Sequence, residues 1–506
     1  MRLFRARPDI LLWGHGLQRL YFDTDYTRDA APEPVRQIKV PNYVYRHTGA
    51  DARFYVAVTT QWHPLAETRP MKPNLVILGS GMGGLGAAEA ARAAGLTSVI
   101  YDKSGHAGGH TVSHHRNGFI FDEGPHVSFT KNKRIQELFS AAIDGKYESI
   151  NAYIDNYWQG NWVRHPVVTN LYGMPAKVVV DTIRDFIEVR QIKDPPIRNY
   201  EDWLVAGYGR TYAEAFPMQY TRKYHTTEAS NLTTDWVGPR LYQAKLEEVL
   251  HGAVSPERPN IHYVQDYRYP THGGFEAFLQ GLLSQSSVVL EHELVAVDPR
   301  AHTLQFRNGN TASYERLVSS VPLPDLIPMI KGAPADVVAA SQRLACSTVV
   351  LVNLGVNRPD VSKSSWTYFY DDEFPFSRVS YPRNYSKHVV PEGAGSIQAE
   401  VYFSRKYRPL VGSPDQCIEP VIAGLQRCGV LRPDDKILFR EAQLVPYANI
   451  IFDLERPAAL ATVHGYLDEL GIGYCGRYGE WGYLWTDEAF VSGENAVRKV
   501  LDRPVR

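Results

Sequence analysis

Cysteine is scarce in this chain. Only Cys346, Cys417, Cys428 and Cys475 occur in 506 residues, with no C-x-x-C pair among them, which excludes a zinc ribbon or a disulfide framework as the organising device. Net charge is nearly absent as well. Lys+Arg number 54 against 55 Asp+Glu, so no global field exists to hold a nucleic-acid backbone or an anionic membrane. Nowhere do the roughly 18 apolar residues of a membrane span run together, and the run Ile10 to Trp13 near the N-terminus is too short for a signal-peptide core. Internal repeats and low-complexity tracts are missing too. These absences leave a cytoplasmic protein with a small-molecule substrate and neither a nucleic-acid partner nor a membrane span, its self-association left open. The length exceeds the roughly 250 to 300 residues at which single cores stop growing, so several lobes are expected.

What is present begins to sharpen at residue 71. Residues 1–70 hold nine arginines and one lysine without a regular apolar period, and are read as an extension of doubtful status before a natural start at Met71. NLVILG is then a short buried strand, GSGMGG a turn, LGAAEAARAAG an alanine-rich helix closed by Gly95, and SVIYD a second strand. Residues 146–264 carry helical patterning, as in PAKVVVDTIRDFIEVR, and are expected to form an inserted helical lobe. SVVLEHELVAVDP and HTLQFRNGNTASYERLVSSVP give three strands, with Asn308-Gly309 as a hairpin turn. Residues 331–464 alternate β-type runs with turns, as an antiparallel sheet does, and the last forty residues end in the helix DEAFVSGENAVRKVLD.

Gly79, Gly81 and Gly84 fit G-x-G-x-x-G between that first strand and helix. The first glycine permits the tight turn, the second the close approach of a pyrophosphate, the third the packing of helix on strand. The helix N-terminus offers free N–H groups and positive dipole to the phosphates. Asp102, at the end of the second strand and 18 residues beyond Gly84, is placed to accept from a ribose hydroxyl and would repel a 2′-phosphate. A second glycine pair, Gly108-Gly109, precedes the strand GFIFDEGPH. His106, His110, His114 and His115 have a spacing that hints at metal ligands, but the glycine pair breaks the helix that would align them, so no metal is expected.

Glycine fingerprint, acid, GG-x-T and GF-x-FD-x-GPH in this order resemble the FAD-binding domain of the amine oxidase, protoporphyrinogen oxidase and phytoene desaturase group and of the related UDP-galactopyranose mutases. Further on, YEDWLVAGYGRTYAEAFPMQYTRKYH, RYPTHGGFEAFLQGLL and GIGYCGRYGEWGYLWTDEAFVSGENA resemble later segments of the mutase-like branch, so the likeness spans roughly residues 72 to 500. It implies FAD as cofactor, with Gly108, Gly109 and Thr111 touching it, His126 near the flavin as an acid or base, and the backbone around Val289 on the adenine side. It also implies Gly476, Arg477 and Asp487 as flavin or ribityl contacts, with Tyr483 beside the ring. The fold implied is α/β: a discontinuous Rossmann-type FAD domain (71–145, 265–330 and 465–506) with an inserted helical lobe (146–264) and an antiparallel β substrate domain (331–464).

The reaction is less constrained than the fold. An FAD-dependent oxidoreductase would take a hydride from its substrate onto flavin N5; a mutase-like enzyme would isomerise a nucleotide-linked sugar with arginines gripping the diphosphate. Arg378, in FPFSRVSY, resembles the mutase arginine, the alternative being a strand-surface arginine bridged to Asp371 or Asp372; Arg240 is a second candidate. Lys223 matches a lysine of the mutase-like helical segment but reads as an ordinary solvated side chain. Two departures weigh against a plain mutase: its GPH-x-x-H has Phe129 at the second histidine, and its RYLDMD has Trp485 at an acidic position. With Trp481 and Tyr483 these aromatics favour an apolar cavity, so the oxidoreductase is expected, with His126, Arg378, Tyr483 and Trp485 as candidate catalytic residues.

Overall fold

The computed structural model describes residues 73–238, 241–257 and 264–502; residues 1–70 and Arg240 lie outside them. The strand Leu75–Leu78 is buried at every position, and its alternation sends Leu75 and Ile77 into one apolar cluster and Val76 and Leu78 into another. Burial on both faces is the condition of a central strand in a parallel sheet. Leu75–Leu78 is the middle strand of five, in the order Gly473–Tyr474, Arg316–Ser319, Leu75–Leu78, Ser98–Tyr101, Val288–Val289, and every neighbouring pair is parallel.

Helices Met82–Ala93 and Thr486–Leu501 cover one face of this sheet, contributing Leu85, Ala91, Phe490 and Val497 to the cluster that holds Leu75 and Ile77. They touch backbone to backbone. A Cβ at Gly86 would run into the carbonyl of Phe490, and one at Gly493 into the carbonyl of Gly83. The opposite face is covered by helices Leu323–Met329, Ala335–Arg343 and Arg456–Glu469 and by a three-stranded antiparallel sheet, Leu294–Asp298, Thr303–Phe306 and Thr311–Ser313. Its second turn is Asn308-Gly309, with Gly309 at φ 86°. Residues 286–321 therefore hold five strands where three were expected, because Glu291, at φ 57°, ends the first run early and the segment after Ser313 turns back into the parallel sheet.

A second sheet of seven strands runs in the order Ile437–Val445, Ser347–Val356, Gly395–Ser404, Arg378–Ser380, Trp366–Phe369, Ile154–Trp158, Asn161–Arg164. It is antiparallel except where Trp366–Phe369 meets Ile154–Trp158. The stretch expected to be helical thus opens with strands: Tyr147–Asn151 pairs with Asp266–Pro270, and Ile154–Trp158 folds back on Asn161–Arg164. The hairpin between them has positive φ at both Gln159 and Gly160, the signature of a tight primed turn. Helices Ala176–Val189, Tyr200–Tyr208, Arg210–Ala215, Pro217–Tyr224 and Leu246–Val254 follow. Among the described residues no helix is long and apolar enough to cross a membrane.

Candidate cofactor cleft and active site

The glycine fingerprint sits where the first strand meets its helix. Gly79 has φ 93°, a conformation that favours glycine, and a Cβ at Gly84 would strike the carbonyl of Gly79. Helix Met82–Ala93 starts at Gly81 with no side-chain cap, which leaves its first N–H groups turned toward the cleft. Two other segments close on this turn. A Cβ at Gly109 would lie 2.9 Å from the Cα of Gly81, and one at Gly83 2.9 Å from the Cα of Gly476.

Ser80, which the fingerprint passes over as a variable position, ties these pieces together. It is fully buried; its N–H and hydroxyl both donate to Oδ2 of Asp102, at 2.7 and 2.5 Å, and its Oγ accepts from the Gly108 N–H at 3.2 Å. Oδ1 of Asp102 accepts from the Ser104 N–H at 2.9 Å and keeps a lone pair for a further donor. Thr111 donates to the Gly108 carbonyl at 2.6 Å, fixing the second glycine loop. Exposed amides, glycines that admit close approach and an acid at the strand end fit an FAD with its pyrophosphate at the helix N-terminus and its ribose at Asp102. The Val289 carbonyl accepts from the Asp102 N–H at 3.0 Å as part of the parallel ladder, which sets this strand end beside the acid.

Two of the loop histidines meet an acid. His110 Nδ1 lies 2.7 Å from one oxygen of Glu123 and His114 Nε2 3.0 Å from the other, with Gln443 also donating at 3.0 Å. Burial would raise the Glu123 carboxyl, but these imidazole hydrogen bonds and their charge hold it down to about 2. Its neighbour Asp122 is pushed up to about 6 by burial, against hydrogen bonds from Ser113, Tyr269 and Phe275. Both acids stand at the root of the turn that carries His126.

His126 is lowered to about 4 by burial and by the positive charges of Arg477 and His110. It is therefore neutral at pH 7. Its Nδ1 faces the Gly124 carbonyl at 3.2 Å, so that nitrogen carries the proton and Nε2 is left as an acceptor.

Beyond the His126 turn lies a polar cluster on the seven-stranded sheet. Arg378 and Glu400 are directly opposite each other in adjacent strands, and the guanidinium grips the carboxylate through two hydrogen bonds, 2.9 and 2.7 Å. Neither Asp371 nor Asp372 is its partner. Tyr402 donates to Glu400 at 3.0 Å, Asn449 to Tyr402 at 3.3 Å, and Arg477 to Asn449 at 3.2 Å. A Cβ at Gly124 would come 4.0 Å from Glu400, which brings the His126 turn to the same place. Tyr220 stacks on Tyr224 and meets Tyr368 edge to face, Tyr224 tilts against Tyr402, and the Tyr224 and Tyr483 hydroxyls meet at 3.1 Å.

Arg477 lies at this junction, but its fork is largely spent on the protein: Nε and Nη2 donate to the Leu484 carbonyl at 3.0 and 2.7 Å, and Nη1 to Ala448 and Asn449. It holds the turn bearing Tyr483 and Trp485. Asp487 stands in the first turn of the last helix, where a negative charge is favoured by the helix dipole. Trp481 is fully buried and belongs to the core, not to a cavity wall. Lys223 is not solvated: it is 6% exposed, donates to the Phe369 and Asp371 carbonyls, and is brought down to about 7 by burial. Ser80, Glu123, Glu400 and Tyr402 were not singled out from the sequence; an alternating strand with one acid among apolar neighbours, AEVYF, was the available sign of Glu400.

A five-stranded parallel sheet with the glycine turn at its centre and a seven-stranded, mainly antiparallel sheet that carries the polar cluster make up the α/β architecture that the sequence resemblance implied. Known proteins agree with this. Residues 77–142 match the NAD(P)-binding Rossmann-like domain. The chain is similar to a reduced UDP-galactopyranose mutase, with 25% identity and a TM-score of 0.80 over 86% of this chain and 97% of that one. It is also similar in fold to a protein from Exiguobacterium sp. 255-15 assigned as a protoporphyrinogen oxidase (15% identity, TM-score 0.66, 85% and 99% covered). Putrescine oxidase bound to putrescine is a third (15%, 0.58, 86% and 100%).

Proposed function

We propose that this chain is an FAD-dependent enzyme that isomerises a nucleotide-linked sugar, the second of the two reactions left open by its sequence. The observation that carries this reading is the Arg378–Glu400–Tyr402 cluster with the hydroxyls of Tyr224 and Tyr483 beside it. A hydrocarbon or simple amine asks for an apolar cage, whereas a sugar phosphate asks for many donors and acceptors held in place. Similarity to a UDP-galactopyranose mutase over most of both chains supports it.

When bound, FAD supplies a ring able to act in its reduced state without net redox change. The protein's share is positional. Glu400 fixes the guanidinium of Arg378, whose other N–H groups serve as donors to phosphate or sugar oxygens. Tyr224 and Tyr483 hold hydroxyl donors at one wall, and neutral His126 offers Nε2 as an acceptor for a proton. Phe129 and Trp485, whose rings meet edge to face at 4.9 Å, favour the other reading, hydride removal by an oxidoreductase.

The test uses the FAD-loaded protein under anaerobic conditions with UDP-galactopyranose. We expect slow or no conversion with oxidised flavin, and ring-size isomerisation, followed by chromatography, once the flavin is reduced with dithionite. Bleaching of the oxidised flavin by an amine, with hydrogen peroxide formed on admission of air and no isomerisation in either state, would establish the oxidase instead.

A further inference from the structure

Helix Ala176–Val189 has two apolar faces. One buries Thr182 and Phe186 in the helical lobe. The other, Ala176, Val180, Ile183 and Ile187, recurs at steps of four and three residues and so forms one stripe, about 17 Å long, on a different side of the helix. Helix Leu246–Val254 runs beside it in the opposite direction. Arg190, just past the end of the first helix, donates to the Ala244 carbonyl before the start of the second at 2.8 Å, and the Tyr172 N–H, before the first, donates to the Gly252 carbonyl near the end of the second at 2.7 Å. The second helix buries Val249 and Gly252, which turns Leu246 and Leu250 toward the stripe and leaves Val254 at its end. Val180 and Val254 are 61% and 77% exposed, and Ile187 and Leu250 are exposed as well. The two helices thus line an apolar groove open to solvent, where a polar surface is the rule for a helix in water.

We propose that this groove receives the same groove of a second copy of the chain, the two Ala176–Val189 helices packing antiparallel about a two-fold axis. The charges of that helix are self-complementary in this arrangement. In a two-fold antiparallel pair equal flanks face each other, so Lys177 meets Glu188 of the second copy and Arg184 meets its Asp181, both pairs centred between Thr182 and Ile183. The apolar stripe is centred one residue earlier, between Asp181 and Thr182, within the reach of long side chains. Within one copy Lys177 and Arg184 already pair with Asp181 along the helix, but all of these groups lie at the surface, and Glu188 is free enough to stand 3.9 Å from Arg184. The opposite flank brings Leu250 and Val254 of both copies to the axis. A face about 17 Å long and two helices, about 20 Å, across supplies about half of the roughly 800 Å² that each partner of a stable pair buries, and the charged rim supplies the rest. A lipid surface fits less well, because the two helices carry five acids, Asp181, Asp185, Glu188, Glu247 and Glu248, against two bases, and an anionic leaflet repels that balance.

The experiment measures the mass of the full chain in solution by sedimentation equilibrium across micromolar concentrations. The expected result is twice the mass of one chain. Val180→Asp with Leu250→Asp should raise the dissociation constant of the pair about 100-fold and leave the thermal melt of the separated copies unchanged, since both side chains are exposed in one copy. Lys177→Glu should weaken pairing about 10-fold by setting like charges opposite each other twice, and adding Glu188→Lys should restore it, which a residue that merely supports its own helix does not do. A native chain that stays single throughout, a pair untouched by the two aspartates, or a charge exchange that restores nothing overturns the proposal. So does a single chain that sediments with vesicles of phosphatidylcholine and phosphatidylglycerol, which would assign the groove to a membrane surface. None of these outcomes depends on the isomerase reading.

Discussion

Replacing Glu400 with Gln is expected to destabilise the protein by about 3 to 5 kcal/mol. The carboxylate receives two charge-assisted hydrogen bonds from Arg378 and one from Tyr402, and its side chain is only 2% exposed. Gln keeps the shape but presents one carbonyl oxygen to three donors. The cost comes mainly from the guanidinium left behind, which stays largely desolvated and has lost its counter-charge. Replacing both partners, Arg378→Met with Glu400→Leu, removes the stranded charge and should return stability to within about 1 to 2 kcal/mol of the native protein. For a folded unit of this size, 1 kcal/mol is worth about 1 °C in Tm, so differential scanning calorimetry should find the single variant about 4 °C lower and the double variant within about 2 °C. If the losses of the two single variants simply add in the double, with a coupling below about 0.5 kcal/mol, the pair is not a buried unit and the site built around it is wrong.

Three further outcomes follow from the same geometry. Gly84→Ala should abolish flavin binding, measured by the absorbance of the purified protein, because the new Cβ meets the Gly79 carbonyl; a fully loaded variant would refute the close packing. Stability should fall by several kcal/mol as pH drops from about 6.5 to 4, since burial pushes His225 down to about 3 and His126 to about 4. The unfolded chain takes up these protons near 6.5 and the native one resists, so the contribution is complete above 6.5 and lost below it. Asp122, pushed up to about 6 by burial, opposes part of this. His225→Phe should have a shallower acid limb in urea melts, and a limb parallel to the native one would show that His225 is not buried as a neutral ring. Lys223→Met should cost about 2 to 4 kcal/mol by orphaning the Phe369 and Asp371 carbonyls, whereas a solvated lysine would change the urea midpoint hardly at all.

The glycine turn with its strands and helix was legible because each signal in it is local: an apolar run, a turn that only glycine fits, an alanine-rich helix, an acid at the next strand end. The partner of Arg378 was not. Asp371 and Asp372 are nearer in sequence, but the choice of Glu400 follows from strand register, which brings residues 22 apart face to face and leaves no mark in the local pattern. Lys223 misled for a related reason. A lysine among polar and aromatic residues on a short helix looks solvated until a strand end 146 residues away covers it. The strands at 147–164 were hidden in a segment with a helical majority, and only their pairing with distant strands separates them from it.

The meeting of the first and last described helices through bare glycine backbone also dictates an order of events during synthesis. The parallel sheet takes its outer strand from Gly473–Tyr474, and the glycine turn is walled by Gly476, so the candidate cofactor cleft has no complete wall until residue 476 has left the ribosome. The early βαβ unit must wait with an uncovered apolar face, a period in which chaperone capture or aggregation competes with folding. A message cut shortly before residue 473 would therefore yield a product with the glycine turn and Asp102 in place but without the outer strand and the Gly476 wall beside them.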